Sequence, residues 1–214
     1  MSRGIVEILL LCGIGAAVVY VFTDIIAAAV YPGFSYSDQA VSELFAIGAP
    51  TSYFVVPLFT ASSALLLAFS VGVAFTSGGS RARQLLAWMF AASAIDAIIL
   101  WNLYPMHMRG EERTFTDLMH LVFAANPFVL VTLIISIFAF RNAFRRFTQV
   151  ILAAVLLLSV FGFSYATAVD TNGATPGLGL IERLGQYLYQ LWQVTLVAVL
   201  LRTSRSADAP RIRL

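Results

Sequence analysis

Charged and hydrogen-bonding side chains are scarce in this chain, so each one is a candidate for chemistry. Asp96 lies well inside a long apolar run, with Ser93 three residues before it. A charged carboxylate in such a place costs about 2.5–3.5 kcal/mol on insertion scales, so it must face other helices and either pair, stay protonated or hold something. Glu43, after Ser42 in a polar stretch, is a second candidate base. His107 and His120 are the only histidines, and Asp117 stands one helical turn before His120. Two imidazoles and a carboxylate are a donor set for zinc with one position left open to water. On that reading Glu43 or Asp96 serves as base in a metal-assisted hydrolase acting on lipid or peptide. The plainer reading makes Asp117 a helix-start residue and the histidines interface groups.

A second constellation is a stripe. Glu182, Gln186, Gln190 and Gln193 recur at spacings of four, four and three, which places them on one helical face. Amides facing lipid are unfavourable, so the stripe faces the interior. It forms either the polar wall of a cavity or a set of interhelical hydrogen bonds, each worth about 0.6 kcal/mol on average. Arg183 beside it can hold an anionic group or pair with a neighbouring acid, and Asp24, next to Thr23, ends an apolar run at the same level.

The elements that must position these residues follow from composition. Of the 214 residues 60% are hydrophobic and 11% charged, against about 25% charged in a soluble domain. Six runs reach the roughly 20 apolar residues that cross a bilayer, at 5–30, 52–76, 83–104, 116–140, 146–168 and 181–202. Backbone polar groups in lipid must be paired within the segment, so each run is predicted to be helical, and the fold class is an all-α bundle of six transmembrane helices. Tyr31-Pro32-Gly33, Ser77-Gly78-Gly79-Ser80, Tyr104-Pro105, Thr171-Asn172-Gly173 and Pro176-Gly177 supply the breaks. Thr114-Phe115-Thr116-Asp117 fits a capping box, and Pro127 is expected to kink the fourth helix. Residues 1–204 form one domain, and 205–214 a mobile polar tail.

All 13 basic residues are Arg, which removes lysine nucleophiles and Schiff-base chemistry from consideration. With both termini cytoplasmic, ten arginines fall on the inner side (3, 81, 83, 141, 145, 146, 202, 205, 211 and 213) and three on the outer side (109, 113 and 183). The acids run the other way: Asp24, Asp38, Glu43, Glu111, Glu112, Asp117, Asp170 and Glu182 lie outward, Glu7 and Asp208 inward. The longest outer connection, 31–51, carries no basic residue and is polar enough to hold function.

Several activities are argued against. There is no Gly-x-Ser-x-Gly elbow, P-loop, dinucleotide fingerprint or His-Glu-x-x-His. Haem held by two histidines needs them at matching depth on facing helices, and both histidines lie at the outer rim. The basic charge is dispersed over loops, so nucleic acid is not expected as a partner.

The segment Pro32-Gly33-Phe34-Ser35-Tyr36, then Ser42-Glu43-Leu44 and Gly48-Ala49-Pro50, resembles the DUF998 family of small bacterial and archaeal membrane proteins. Gly179-Leu180-Ile181-Glu182-Arg183 with Leu191-Trp192 resembles that family's last helix, and Tyr104-Pro105 and His120 fall where it tends to carry a Pro and a His. The resemblance implies a six-span bundle without an established activity, and it implies that Ser42, Glu43, His120, Glu182 and Arg183 act together. The combined expectation is a multi-pass protein of a bacterial or archaeal cytoplasmic membrane. An outward-opening pocket lined by Asp24, Ser42, Glu43, Asp96, His107, Asp117, His120, Glu182, Arg183, Gln186 and Gln190 would bind a small or amphiphilic, lipid-derived ligand. Two other readings stay open: a solute or proton carrier using Asp96, and a non-catalytic subunit attached to a partner membrane protein.

Overall fold

A computed structural model of the chain describes residues 1–124, 127–165, 168, 169 and 171–206. Asp170, Asp208, Arg211, Arg213 and the tail beyond Ser206 lie outside the described residues.

Among the described residues six helices are long and apolar enough to cross a membrane. The first and second spans are α1 (Arg3–Val30) and α2 (Ser52–Phe75). The third span starts with α3 (Arg81–Ile95), which continues through a π turn, Asp96–Leu100, into a last turn, Trp101–Leu103. The fourth span comprises α4 (Phe115–Ala124) and α5 (Pro127–Ala139). The fifth and sixth are α6 (Asn142–Phe163) and α7 (Leu178–Ser206).

The fifth span's expected limits move most, from 146–168 to Asn142–Phe163, and the sixth lengthens from 181–202 to Leu178–Ser206. Arg145 and Arg146 are inside the helix, because long guanidinium side chains can reach the interface while their backbone stays helical. At the other end Ser164 returns its hydroxyl to Phe161 O and closes the helix. Half of the expected capping box is present: Thr114 N donates to Asp117 Oδ2, and the Thr114 hydroxyl donates to the same oxygen instead of accepting from Asp117 N.

Each span packs on the next in sequence, and α7 returns to α1, so the six spans form a closed ring. Small residues set the closest approaches. A Cβ on Gly13 would lie 2.8 Å from both Phe69 and Val197, and one on Gly72 would lie 3.0 Å from Leu10 N. Such positions let helix backbones approach where water supplies no driving force between helices. Ser62 Oγ donates to Ala16 O and Gln193 Nε2 to Gly13 O, which pins α2 and α7 to the same stretch of α1. Trp192, fully buried, stacks against Phe90, Phe144 and Tyr189 and donates its indole N–H to Thr148.

The 31–51 and 104–114 connections and the described residues between α6 and α7 share one end of the ring and form a cap. Ile47 N donates to Met106 O, and Arg109 reaches Gly173 O. Within the cap a short 3-10 helix, Val41–Phe45, presses Val41, Leu44 and Phe45 into a cluster with Ala27, Val55 and Phe59.

Candidate functional site

A buried arginine holds the cap on the ring, and a half-buried one ties the cap loops together. Arg183, on the first turns of α7, is 2% exposed and faces Asp24 of α1, which is fully buried. Its Nε lies 3.2 and 3.1 Å from the two carboxylate oxygens, and its Nη2 lies 3.1 Å from Oδ1. Nη1 donates to three carbonyls, Tyr36 O at 3.0 Å, Gln39 O at 2.8 Å and Gly179 O at 3.3 Å. The Tyr36 ring covers the guanidinium at 4.1 Å. Tyr187 donates its hydroxyl to Asp24 Oδ2 and meets the Tyr36 hydroxyl. A buried ion pair stands only where most of its remaining hydrogen-bonding capacity is met; here backbone carbonyls and a phenol supply it, while Nη2 makes the ion-pair contact without a hydrogen bond.

Arg109 does the same for the loops. Its Nε and Nη2 grip Glu43 at 3.0 and 2.7 Å, and Nη1 donates to Gly173 O and Thr175 Oγ1. Glu43 also accepts from Gln39 Nε2 and Ala40 N, so the roughly four lone-pair directions of its carboxylate are all used. The Glu43 hydrogen bonds hold Arg109 still more firmly in its charged form. Asp38, nearby, has its carboxyl held below the usual range, first by the Gly177 N–H and then by the Ser35 and Ser37 hydroxyls. Glu182 accepts from Val41 N, a third link between α7 and the cap.

The pocket expected from the sequence is therefore not one pocket. Asp24, Glu43 and Arg183 are consumed in these clamps, with no oxygen of Glu43 left to act as a base. Asp96 is buried in the π turn, and neither of its carboxylate oxygens has a hydrogen-bond partner among the described residues. The zinc-ligand set also does not assemble: among the described residues no three His, Cys, Asp or Glu side chains gather as a metal-binding group. Asp117 is committed to capping α4 and to His107, accepting from His107 N at 2.7 Å and pairing with Nδ1 at 2.9 Å. His120 turns its Nδ1 to Tyr104 O at 2.9 Å and lies between the rings of Phe45 and Trp101.

What remains open are two adjoining cavities. The larger, about 670 Å³, lies in the cap half of the ring. It exists because α4 leans on the end of the third span, while α5 alone carries the fourth span's main contact with α6. Its cap end holds Ser42, His107, Arg109, Asp117, His120 and Glu182. Its depth is apolar, with Leu121, Leu130, Val155, Leu158 and Ile181. Leu156, Val160 and Phe163 of α6 line it and are exposed, so the cavity is not sealed along α6. The smaller, about 280 Å³, lies between α1, α2, the third span and α7 and is lined by Gln186, Gln190, Gln193, Ser62, Ser93 and Asn102 among others. The stripe on α7 thus divides: Glu182 borders the first cavity, Gln186 both, Gln190 and Gln193 the second. The sequence reading gave Arg109 no role, and Tyr36 and Gln39 entered only inside longer stretches. Apart from the local Gln39–Glu43 bond, their partners are 64 to 151 residues away, and no local spacing signals them.

A closed ring of six apolar helices under a polar cap defines a multi-pass membrane protein. The chain belongs to the DUF998 family, described as proteins of unknown function, whose model matches residues 14–199. No curated protein and no solved structure matches it.

Proposed function

We propose that this protein binds a single-chain amphiphile in the larger cavity, polar end toward the cap and chain toward the unsealed side along α6. The observation that carries this is the division of that cavity into a hydrogen-bonding end and an apolar depth, within one volume of about 670 Å³. Ligand cavities run from about 300 to 1,000 Å³ and combine apolar walls with a few placed polar groups. The unsealed side suits a ligand that arrives from the bilayer.

Native mass spectrometry of the protein released from gentle detergent tests this. The wild type should retain a lipid-sized mass. Gly185 and Gly162 line the cavity, and an added Cβ at either meets nothing nearer than 3.8 Å, so larger side chains there fill it without displacing backbone. Gly185→Leu and Gly162→Leu should cut retention by about tenfold or more, a loss of about 1.4 kcal/mol. Unchanged retention in both variants would overturn the proposal. A chain that carries another polypeptide and no lipid would favour the accessory-subunit reading.

We also place the cap on the outer face of a bacterial or archaeal cytoplasmic membrane, because the arginine asymmetry sets that orientation. In a Cys12→Ala background, Glu112→Cys should react with an impermeant maleimide on intact cells, and Ala143→Cys only after lysis. Both are exposed, at opposite ends of the ring. The reverse pattern would invert the topology.

A further inference from the structure

We infer that the polar end of the bound amphiphile is a hydrogen-bond donor, a hydroxyl or an ammonium group, and that Nε2 of His120 accepts from it. The inference rests on the amphiphile reading above and deepens it.

His120 lines the larger cavity and is 4% exposed. Its Nδ1 lies 2.9 Å from Tyr104 O, and a carbonyl oxygen only accepts, so the ring proton is on Nδ1. Nε2 is then a bare lone pair, and it has no hydrogen-bond partner. The two rings packed on it offer none: Phe45 has no polar atom, and the Trp101 indole N–H is itself without a bond. The nearby Asp117 carboxylate could not serve either, since it is an acceptor and is already engaged by His107 and Thr114. An unmet buried acceptor on a residue that lines the cavity is satisfied by a donor and repelled by an acceptor.

The test offers the delipidated protein equal amounts of 1-oleoylglycerol and methyl oleate and weighs the complexes by native mass spectrometry. The two esters share one chain and differ in the hydroxyl donors. The wild type should favour 1-oleoylglycerol by about tenfold, the worth of one hydrogen bond to a buried acceptor. His120→Phe should lose that preference while holding methyl oleate as the wild type does, which also reports an intact cavity. Equal uptake of both esters by the wild type, or a preference that survives His120→Phe, would overturn the inference and leave the amphiphile reading standing. Uptake of neither ester by the wild type would overturn both. The wild-type comparison needs no variant, so a misfolded His120→Phe leaves the test intact.

Discussion

Arg183→Met is expected to lower the unfolding free energy of the detergent-solubilised protein by about 3–5 kcal/mol, the cost of stranding one member of a buried ion pair. Methionine fills much of the same volume, so the loss reports the charge and the hydrogen bonds rather than a cavity. Asp24, with no exposure at all, would be left with only the Tyr187 hydroxyl. The carbonyls of Tyr36, Gln39 and Gly179 would lose a shared donor, in a buried place for Gly179 and a part-buried one for the other two. The check is denaturant unfolding followed by near-ultraviolet circular dichroism, alone and in combination with Asp24→Asn. Groups in direct contact couple, so the double variant should cost well under the sum of the singles. A loss below about 1 kcal/mol for Arg183→Met, or strict additivity, would mean that the pair does not hold the cap.

The same residues show where the sequence was readable and where it was not. Helix periodicity and the length of apolar runs act over neighbouring residues, so six spans and most of their limits can be read directly. The stripe from Glu182 to Gln193 could be placed facing inward for the same reason. Asp24 and Arg183 could each be recognised as an intramembrane ion in need of a partner. That they are partners could not, since 159 residues separate them and only the closure of the ring brings α7 back to α1. Pairing of Asp24 with Arg183, and of Glu43 with Arg109, is what removes these residues from the expected pocket. The cavity has a similar cause: it depends on which way α4 leans, a matter of packing between elements that no spacing within α4 encodes. The family resemblance grouped Ser42, Glu43, His120, Glu182 and Arg183. In the structure Glu43, Glu182 and Arg183 secure the 36–43 stretch, while Ser42, His120 and Glu182 border the cavity. A rigid cap and a ligand site would then share one short segment of chain.

That sharing gives Gly179→Ala an effect out of proportion to a single methyl group. A Cβ at Gly179 would lie 2.5 Å from Tyr36 O and 2.7 Å from Arg183 Nη1, with Gln39 O closer still. Two of these are backbone oxygens held by the Arg183 guanidinium, so relief requires the 36–39 stretch to lift from α7 and the Nη1 hydrogen bonds to lengthen. Overpacking alone costs about 1–3 kcal/mol, and here it also strains the ion-pair network, so a loss of about 3 kcal/mol or more is expected. The consequence should reach the cavity. Val41 N bonds Glu182 Oε2, and Ser42 borders the cavity beside it, so lifting the stretch moves part of the polar wall. Gly179→Ala should therefore both destabilise the protein and weaken lipid retention, whereas Gly185→Leu should abolish retention with stability nearly intact. Normal stability in Gly179→Ala would show that the cap tolerates displacement from α7. Normal retention in a destabilised Gly179→Ala protein would separate the cap clamp from the ligand site, leaving the cavity to be shaped by α4, α5, α6 and α7 without the 36–39 stretch.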